Sequence, residues 1–200
     1  MTVKRLAVVL LAWSLMAGVC SAQSTSVELM AGPDTLAGGI SFRNTIAGGF
    51  MKIGLSGVYT DDDETQYQMG NLRFVVGNDT LTPGLSVEAG FQAIFGSAEE
   101  DDQSGDIGAA AFTARAGYFF PRRLIPVPLE IFGGLTYAPD PLTLMDLEEY
   151  VEVYAGVGVQ IIPNAVVQLT YHNYDMELND GHGDFSVDDS VIRVGLVMQF

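Results

Sequence analysis

Two histidines are the residues of this 200-residue chain best suited to acid–base chemistry. His172 precedes Asp175 by three positions. His182 stands close to Asp184 and Ser186. A histidine oriented by a carboxylate can take a proton from a serine hydroxyl, as it does in many hydrolases. Neither histidine lies in a recognisable nucleophile motif, and His182 is flanked by glycines in a predicted loop tip. We therefore expect no catalytic site, no enzyme activity and no cofactor.

A second group of reactive side chains is charged and recurs at alternate positions of otherwise apolar segments. Successive side chains of a strand point to opposite faces, so these charges share one face with glycines and other polar residues. A single charge away from bulk water is unfavourable, and we expect opposite charges to pair across a narrow lumen. The predicted charge network consists of Lys52, Arg73, Glu88, Arg115, Glu130, Glu152 and Arg193.

The segments that carry these charges alternate with a period of two residues, which predicts strands. In one of them Phe91 and Phe95 lie opposite Glu88 and Gln92. The alternation changes phase near Asn71, which predicts a β-bulge there. Ten strands are predicted, at 25–31, 36–43, 49–60, 65–77, 84–96, 106–120, 127–138, 147–162, 165–177 and 187–200.

The last predicted strand presents an apolar face up to the final residue. An unpaired strand of this kind promotes aggregation in water, so it must close a sheet, face lipid, or do both. A terminal aromatic residue after alternating apolar residues resembles the C-terminal signal that barrel assembly machinery reads in bacterial outer-membrane barrels. The predicted assembly signal consists of Val194, Leu196, Met198 and Phe200.

The acidic residues are concentrated in predicted loops on one side of the strands. The formal net charge of −16 excludes nucleic acid as an expected partner. The opposite side has mostly shorter connections that are rich in turn residues, a difference typical of long extracellular loops and short periplasmic turns. None of the acidic runs has the spacing of a dedicated calcium loop, so we expect them to share divalent cations with lipopolysaccharide phosphates. These runs are 61–64, 99–102, 140–149 and 180–189.

Aromatic residues gather near both ends of the predicted strands. Amphipathic rings favour the membrane interface, so we expect two aromatic girdles. The girdle near the acidic loops consists of Tyr59, Tyr67, Phe95, Tyr137, Tyr150 and Tyr171, and the girdle near the turns of Phe42, Phe50, Phe119, Phe120 and Phe200.

The first 22 residues have the order of a secretory signal peptide. Lys4 and Arg5 precede an apolar run at 6–19, and small residues follow it, so we expect cleavage after Ala22 and a mature barrel at 23–200. A lipoprotein with Cys20 as the modified residue is the alternative interpretation, and the branched residue before Cys20 weighs against it.

Together these features predict an all-β fold, an antiparallel transmembrane β-barrel of about ten strands. The count falls to eight if the first two short strands belong to a plug or a free terminus. We expect a barrel closed by paired charges, located in the bacterial outer membrane among lipid and lipopolysaccharide, with acidic loops for surface interaction. A narrow cation-favouring porin is the alternative, and an outer-membrane hydrolase a more remote one.

One part of the chain also resembles a known family. The run 128–142, the acidic stretch 148–150 and the run 168–174 (QLTYHNY) are similar to the second half of the YfaZ family. The first half shares only glycine-rich alternation and an acidic loop after Tyr59. The resemblance implies a Gram-negative outer-membrane barrel, and it supplies no catalytic motif.

Overall fold

The structure is a computed structural model that describes residues 24–62, 65–100, 103–121, 123–179 and 184–200. The predicted signal peptide at 1–22 and His182 lie outside the described residues. Within the described part, no helix is long and apolar enough to span a bilayer. The strands are β1 (Ser24–Ala31), β2 (Thr35–Ile46), β3 (Gly49–Asp61), β4 (Thr65–Asn78), β5 (Leu85–Glu100), β6 (Gln103–Phe119), β7 (Leu129–Ala138), β8 (Thr143–Met145), β9 (Leu147–Ile162), β10 (Ala165–Asn179) and β11 (Asp184–Gln199).

The sheet closes on itself because β1 pairs with both β2 and β11. The β1–β11 ladder is antiparallel and runs from Ser26 opposite Gln199 to Ala31 opposite Val194. Strands β5 and β6 also pair, which completes the ring. In a closed ring the long strands can bond their backbone N–H and C=O groups to neighbours, as a lipid environment requires. The predicted antiparallel barrel is confirmed.

The ring has ten strand positions, because β7 and β8 follow one another along the same edge of β6 and occupy one position together. Strand β7 pairs with β6 up to Tyr137 opposite Phe112, and β8 then pairs Met145 with Ile107. A short 3-10 helix at Asp140–Leu142 lies between β7 and β8. The ten-strand prediction is confirmed. The eight-strand alternative is wrong, because β1 and β2 are paired members of the ring.

The two ends of the barrel differ in charge, but the predicted difference in the length of their connections is wrong. The turn-end connections at 79–84 and 120–128 are longer than the loop-end connections after β1, β3, β5 and β10, because the strands extend into the predicted loops. At the turn end, a two-residue turn of Ala47 and Gly48 joins β2 to β3, and one of Pro163 and Asn164 joins β9 to β10. Gly48 has φ +83°, a left-handed value that a side chain disfavours. At the loop end, the connections after β3, β5, β7 and β10 carry the acidic runs.

The outer face of the barrel is apolar. Leu29 is 65% exposed, Phe91 59% and Ile192 57%, although each belongs to a regular strand. Large apolar side chains at such exposure are unfavourable in water and favourable in hydrocarbon. The outer face therefore has the character that a lipid environment demands.

The β-bulge predicted near Asn71 is wrong. The ladders of β4 with β3 and with β5 run past Asn71 without a register shift. Tyr67 and Met69 lie on the inner face together with Arg73, and Tyr67 is 1% exposed. The apparent change of phase arises because the inner face itself changes from polar to apolar along the strand.

The predicted aromatic girdles are correct for some residues and wrong for others. Tyr67 and Tyr150 are each 1% exposed inside the barrel, and Phe50 is 2% exposed at the turn end, so none of the three belongs to a girdle. The odd or even position of a residue along its strand decides whether its side chain faces inward or outward, because side chains two positions apart share a face whatever their type. The girdle residues on the outside near the loops are Tyr59, Phe95, Tyr137 and Tyr171.

Candidate functional site

An apolar core fills the loop-side half of the barrel interior. Tyr67 lies near the start of β4, Tyr150 near the start of β9 and Met176 near the end of β10, so all three sit close to the loop end. Burial of one such side chain contributes roughly 1.5–3 kcal/mol to folding. The apolar core consists of Val58, Tyr67, Met69, Ile94, Ala98, Ile107, Ala109, Ala111, Ala138, Leu147, Tyr150, Tyr174, Met176, Leu178, Val187 and Val191.

A polar cavity of about 460 Å³ occupies the turn-side half. Its lining begins at the turn end with Ser24, Gly84 and Gln199 and reaches Tyr174 at the apolar core. All seven residues of the predicted charge network line this turn-side cavity. The alternation along the strands explains their placement, because each of them shares a face with the small or polar residues around it.

Two ion pairs of the network join neighbouring strands or strands close in the ring. Lys52 Nζ lies 2.7 Å from Glu88 Oε2, and the Glu88 side chain is 4% exposed. Arg115 Nη2 lies 3.0 Å from Glu130 Oε1, and the Arg115 guanidinium also covers the Phe132 ring at 4.6 Å. Such pairs satisfy charges that the barrel wall removes from bulk water.

The third carboxylate of the network, Glu152, pairs with a histidine that the predicted network did not include. Its Oε1 atom lies 3.0 Å from His172 Nδ1, and the Tyr150 hydroxyl donates to Oε2 at 3.4 Å. The His172 ring stacks between Tyr154 and Tyr174, at centroid distances of 5.3 and 5.8 Å. Because the His172 ring is contacted on both faces and bonded at one ring nitrogen, its orientation is fixed.

The glycine opposite Tyr154 makes this stack possible. Gly134 pairs with Tyr154 across β7 and β9, and a Cβ atom at Gly134 would overlap the tyrosine ring. Only glycine leaves room for the ring against the barrel wall. Gly134 therefore helps to place Tyr154 beside His172.

Two arginines of the network bond to neutral groups. Arg73 Nε donates to Gln92 Oε1 at 2.8 Å. Arg193 Nε donates to Thr35 Oγ1 at 3.2 Å, and its Nη1 atom donates to the Tyr174 hydroxyl at 3.0 Å. No salt bridge within 4.0 Å involves either arginine among the described residues. Three further side chains complete the network: Gln92, Tyr154 and Tyr174. Each lies an even number of positions from Glu88, Glu152 or His172 in the same strand, so it shares a face with that residue. This spacing is the sequence signal that points to them.

The arrangement of His172 with Asp175 that was considered for catalysis does not form. Residues three apart in a strand point to opposite faces, so His172 points inward and Asp175 is exposed on the outside. The hydrogen-bond partners of His172 are the Glu152 carboxylate and the Tyr174 phenol, with no serine or threonine hydroxyl in the described part. The arrangement of His182, Asp184 and Ser186 lies partly outside the described residues.

The acidic loops form no metal centre in the described ranges. No group of three or more histidine, cysteine or acidic side chains there could hold a metal ion. Asp146 has a structural role, because its Oδ2 atom accepts from the backbone N–H of Asp106 at 2.9 Å. Asp63, Glu64, Asp101, Asp102 and Asp180 lie outside the described residues.

The C-terminal strand lies between β1 and β10. Val194 pairs with Ala31 on one side and with Leu169 on the other. Phe200 exchanges backbone hydrogen bonds with Thr25 at 3.0 and 2.8 Å, which closes the ring at the turn end. The predicted assembly signal presents Val194, Leu196 and Phe200 on the outer face, where they are 54%, 36% and 68% exposed.

Comparison with known proteins gave one family and several solved structures. The sequence profile described as "YfaZ precursor" matches residues 1–200. No curated protein matches the chain. The family match therefore extends over every described strand.

Three solved structures illustrate the similarity. A structure described as "Unveiling the Mechanism Behind the in-meso Crystallization of Membrane Proteins" is 11% identical with a TM-score of 0.44, and the match covers 88% of this chain and 82% of that chain. The NanC porin is 8% identical with a TM-score of 0.42, covering 88% and 98%. The KdgM porin is 12% identical with a TM-score of 0.39, covering 88% and 99%.

Proposed function

The chain belongs to the YfaZ family, and from this membership and the interior of the barrel we propose that it is a small, non-conducting β-barrel of the bacterial outer membrane. In this proposal the acidic loops face the cell exterior and contact other surface components. The turn end faces the periplasm. The segregation of charge supports this orientation, because the acidic runs all lie at the loop end, where their carboxylates can share divalent cations with lipopolysaccharide phosphates.

The proposed partners follow from the outer surface of the barrel. Lipid and lipopolysaccharide surround its apolar face, where Leu29 and Phe91 are more than half exposed. The C-terminal strand, with Val194, Leu196, Met198 and Phe200, engages the barrel assembly machinery before it pairs with β1. Support for this role is the closing position of the strand in the ring.

The main observation in support of a closed lumen is the apolar core in the loop-side half of the interior. Tyr67, Tyr150 and Met176 are each at most 1% exposed there. A hydrated ion that crossed this layer would lose its water without gaining polar partners, which is strongly unfavourable. The ion pairs of Lys52 with Glu88 and of Arg115 with Glu130 further narrow the turn-side half.

Conductance in planar lipid bilayers tests this proposal. We expect the purified, refolded barrel to give no discrete current steps above those of an empty bilayer. A Tyr67→Ala/Tyr150→Ala double variant, which removes two large rings of the apolar core, serves as the positive control and is expected to admit ions. Its folded state is checked by the heat-dependent shift in gel mobility. Stable, cation-selective steps from the unaltered protein would instead establish the narrow cation-favouring channel.

The acidic loops are proposed to share divalent cations with neighbouring lipopolysaccharide phosphates. Their carboxylates are hard oxygen ligands, and no clustered metal centre occurs among the described residues. Calorimetric titration with calcium is expected to show weak, salt-sensitive heat that increases when lipopolysaccharide is added to the micelles. Tight, saturable binding of calcium in its absence would refute shared binding.

We also propose that the protein is not a hydrolase. His172 is held by Glu152 and stacked between two tyrosines, with no serine or threonine hydroxyl bonded to it in the described part. Ester and peptide hydrolysis by purified protein is expected to equal that of a His172→Ala variant. Activity that depends on His172 would contradict this view.

A further inference from the structure

A groove of about 520 Å³ crosses β2, β3 and β4 on the outer face of the barrel, near the loop end. Gly38, Gly57 and Gly70 form its floor, because the three glycines pair side by side across these strands. Each lies two positions from an exposed apolar side chain of its own strand and therefore points outward. These exposed neighbours are Leu36, Tyr59 and Leu72.

Two large side chains close the ends of this outer groove. Leu29 of β1 and Phe95 of β5 are 65% and 51% exposed. A Cβ atom at Gly38 would lie 3.2 Å from Leu29 Cδ2, and one at Gly70 would overlap the Phe95 ring, so both side chains lean over the floor. A Cβ atom at Gly57 would meet only a backbone oxygen at 3.5 Å beyond its chain neighbours. The middle of the outer groove is therefore open.

The shape of the outer groove suits an extended chain. The paired backbone from Leu29 on β1 to Phe95 on β5 spans roughly 19 Å, since it crosses four inter-strand spacings of about 4.8 Å. A long, shallow depression of this kind offers contact along the whole length of a hydrocarbon chain. It encloses a compact solute poorly.

The position of the outer groove on the barrel defines its surroundings. Its walls continue the apolar outer face of a transmembrane barrel, so hydrocarbon covers it. Tyr59 and Phe95 belong to the aromatic girdle near the loops, which marks the membrane interface. The outer groove therefore lies where acyl chains meet their polar headgroups.

The loop-side edge of the outer groove is polar. Gln68 lines it and is exposed, and its Nε2 atom donates to Ser97 Oγ at 3.3 Å. The Tyr59 hydroxyl donates to Asp61 Oδ2 at 3.0 Å and accepts from Gln66 Nε2 at 3.1 Å. The Gln68 amide can bond to the carbonyl that links an acyl chain to a headgroup. The Asp61 carboxylate can share a divalent cation with a phosphate.

We propose that the outer groove holds one acyl chain of lipopolysaccharide, with the sugar and phosphate end of the lipid beside Gln68 and Asp61. The chain packs over Gly57, between Leu29 and Phe95. This inference rests on the proposed function, because the loop end meets lipopolysaccharide only if it faces the cell exterior. It holds whether or not the barrel conducts ions.

Native mass spectrometry of the refolded barrel in detergent micelles with calcium tests the outer groove. One arm contains purified lipid A and the other phosphatidylethanolamine. We expect one lipid A to stay bound per barrel and phosphatidylethanolamine to bind more weakly. Gly57→Leu fills the open middle of the groove and is expected to weaken the affinity for lipid A about tenfold, the effect of losing contact with about two methylene groups.

The matched control is Ala155→Leu, which adds the same side chain at an exposed position of β9, outside the outer groove. Its affinity is expected to equal that of the unaltered protein. If Gly57→Leu does not fold, Phe95→Ala decides, because it removes one end of the groove at a half-exposed position and is expected to weaken binding about fivefold.

The site is refuted if no lipid A stays bound, if Gly57→Leu and Ala155→Leu have equal affinity, or if phosphatidylethanolamine binds as tightly as lipid A. Protease cleavage of the loops on intact cells tests the proposed orientation separately. Binding in micelles does not depend on the direction in which the barrel lies in the membrane, so failure of the groove and failure of the orientation are distinguishable.

Discussion

The two halves of the barrel interior restrict the same lumen with opposite chemistry. In the loop-side half, Ile107 and Met176 are fully buried and exclude water by packing alone. In the turn-side half, Lys52 and Glu88 form an ion pair on the wall of a cavity of about 460 Å³. Apolar packing is non-directional and can fill space completely, whereas polar side chains need partners at fixed geometry.

This difference separates two roles within one barrel. The apolar core fills the loop-side half with packed side chains, and the proposed function assigns the closure of the lumen to it. In the described structure the turn-side half keeps partnerless polar atoms on Arg193 and Tyr154, an arrangement that costs stability. We therefore expect variants in the two halves to differ in how much they lower the stability. We also expect the cause to differ, because one half loses packing and the other loses polar partners.

The largest effect is expected from Tyr150→Ala in the apolar core. Tyr150 is 1% exposed, so truncation leaves a cavity that neither lipid nor water fills well, and we expect the free energy of unfolding to fall by about 3–5 kcal/mol. Urea unfolding of the barrel in lipid vesicles measures the change. Tyr171→Ala is the matched control, because Tyr171 is 47% exposed on the outer face and its loss leaves no internal cavity. Equal losses in both variants would contradict a packed core.

A smaller effect is expected from Glu88→Gln in the turn-side half. Lys52 then loses its carboxylate partner, and we expect a loss of about 1–3 kcal/mol in the free energy of unfolding. The double variant Lys52→Met/Glu88→Leu removes both charges and is expected to recover most of this loss. Unfolding of the single variants Lys52→Met and Glu88→Leu and of the double variant gives the coupling energy of the pair. Additive losses would show that the pair does not act as a unit.

The smallest effects compare two tyrosines that flank the same histidine. Tyr174→Phe removes the acceptor of the Arg193 Nη1 hydrogen bond, and we expect a loss of about 1 kcal/mol. Tyr154→Phe removes a hydroxyl without a partner in the described structure, and we expect the stability to change by less than about 0.5 kcal/mol. The same unfolding assay measures both. A greater loss in Tyr154→Phe than in Tyr174→Phe would contradict the assignment of partners.

Much of the fold was predictable because it rests on local alternation. The period-two pattern located the ten strand positions of the ring, and the apolar C-terminal strand required a partner, which β1 supplies. The pattern failed in β4, where it predicted a β-bulge near Asn71 and placed Tyr67 in an outer girdle, although Tyr67 faces inward. That interpretation assumed that the inner face is polar along its whole length.

The candidate site was predictable only in part. All seven residues of the predicted charge network line the turn-side cavity, because parity alone assigns the face of a side chain. The partner of each charge was not predictable. Lys52 and Glu88 are 36 residues apart, and Arg193 meets Thr35 across 158 residues, so the closure and tilt of the barrel determine these distances.

The sequence by itself determined which side chains of a strand share a face, since alternation is a local property of the strand. The tertiary structure alone decided the height of each inward side chain and its neighbours across the lumen, since these depend on strand tilt and register around a closed ring. For this reason the division into an apolar core and a polar cavity with free atoms on Arg193 and Tyr154 emerges only from the folded barrel.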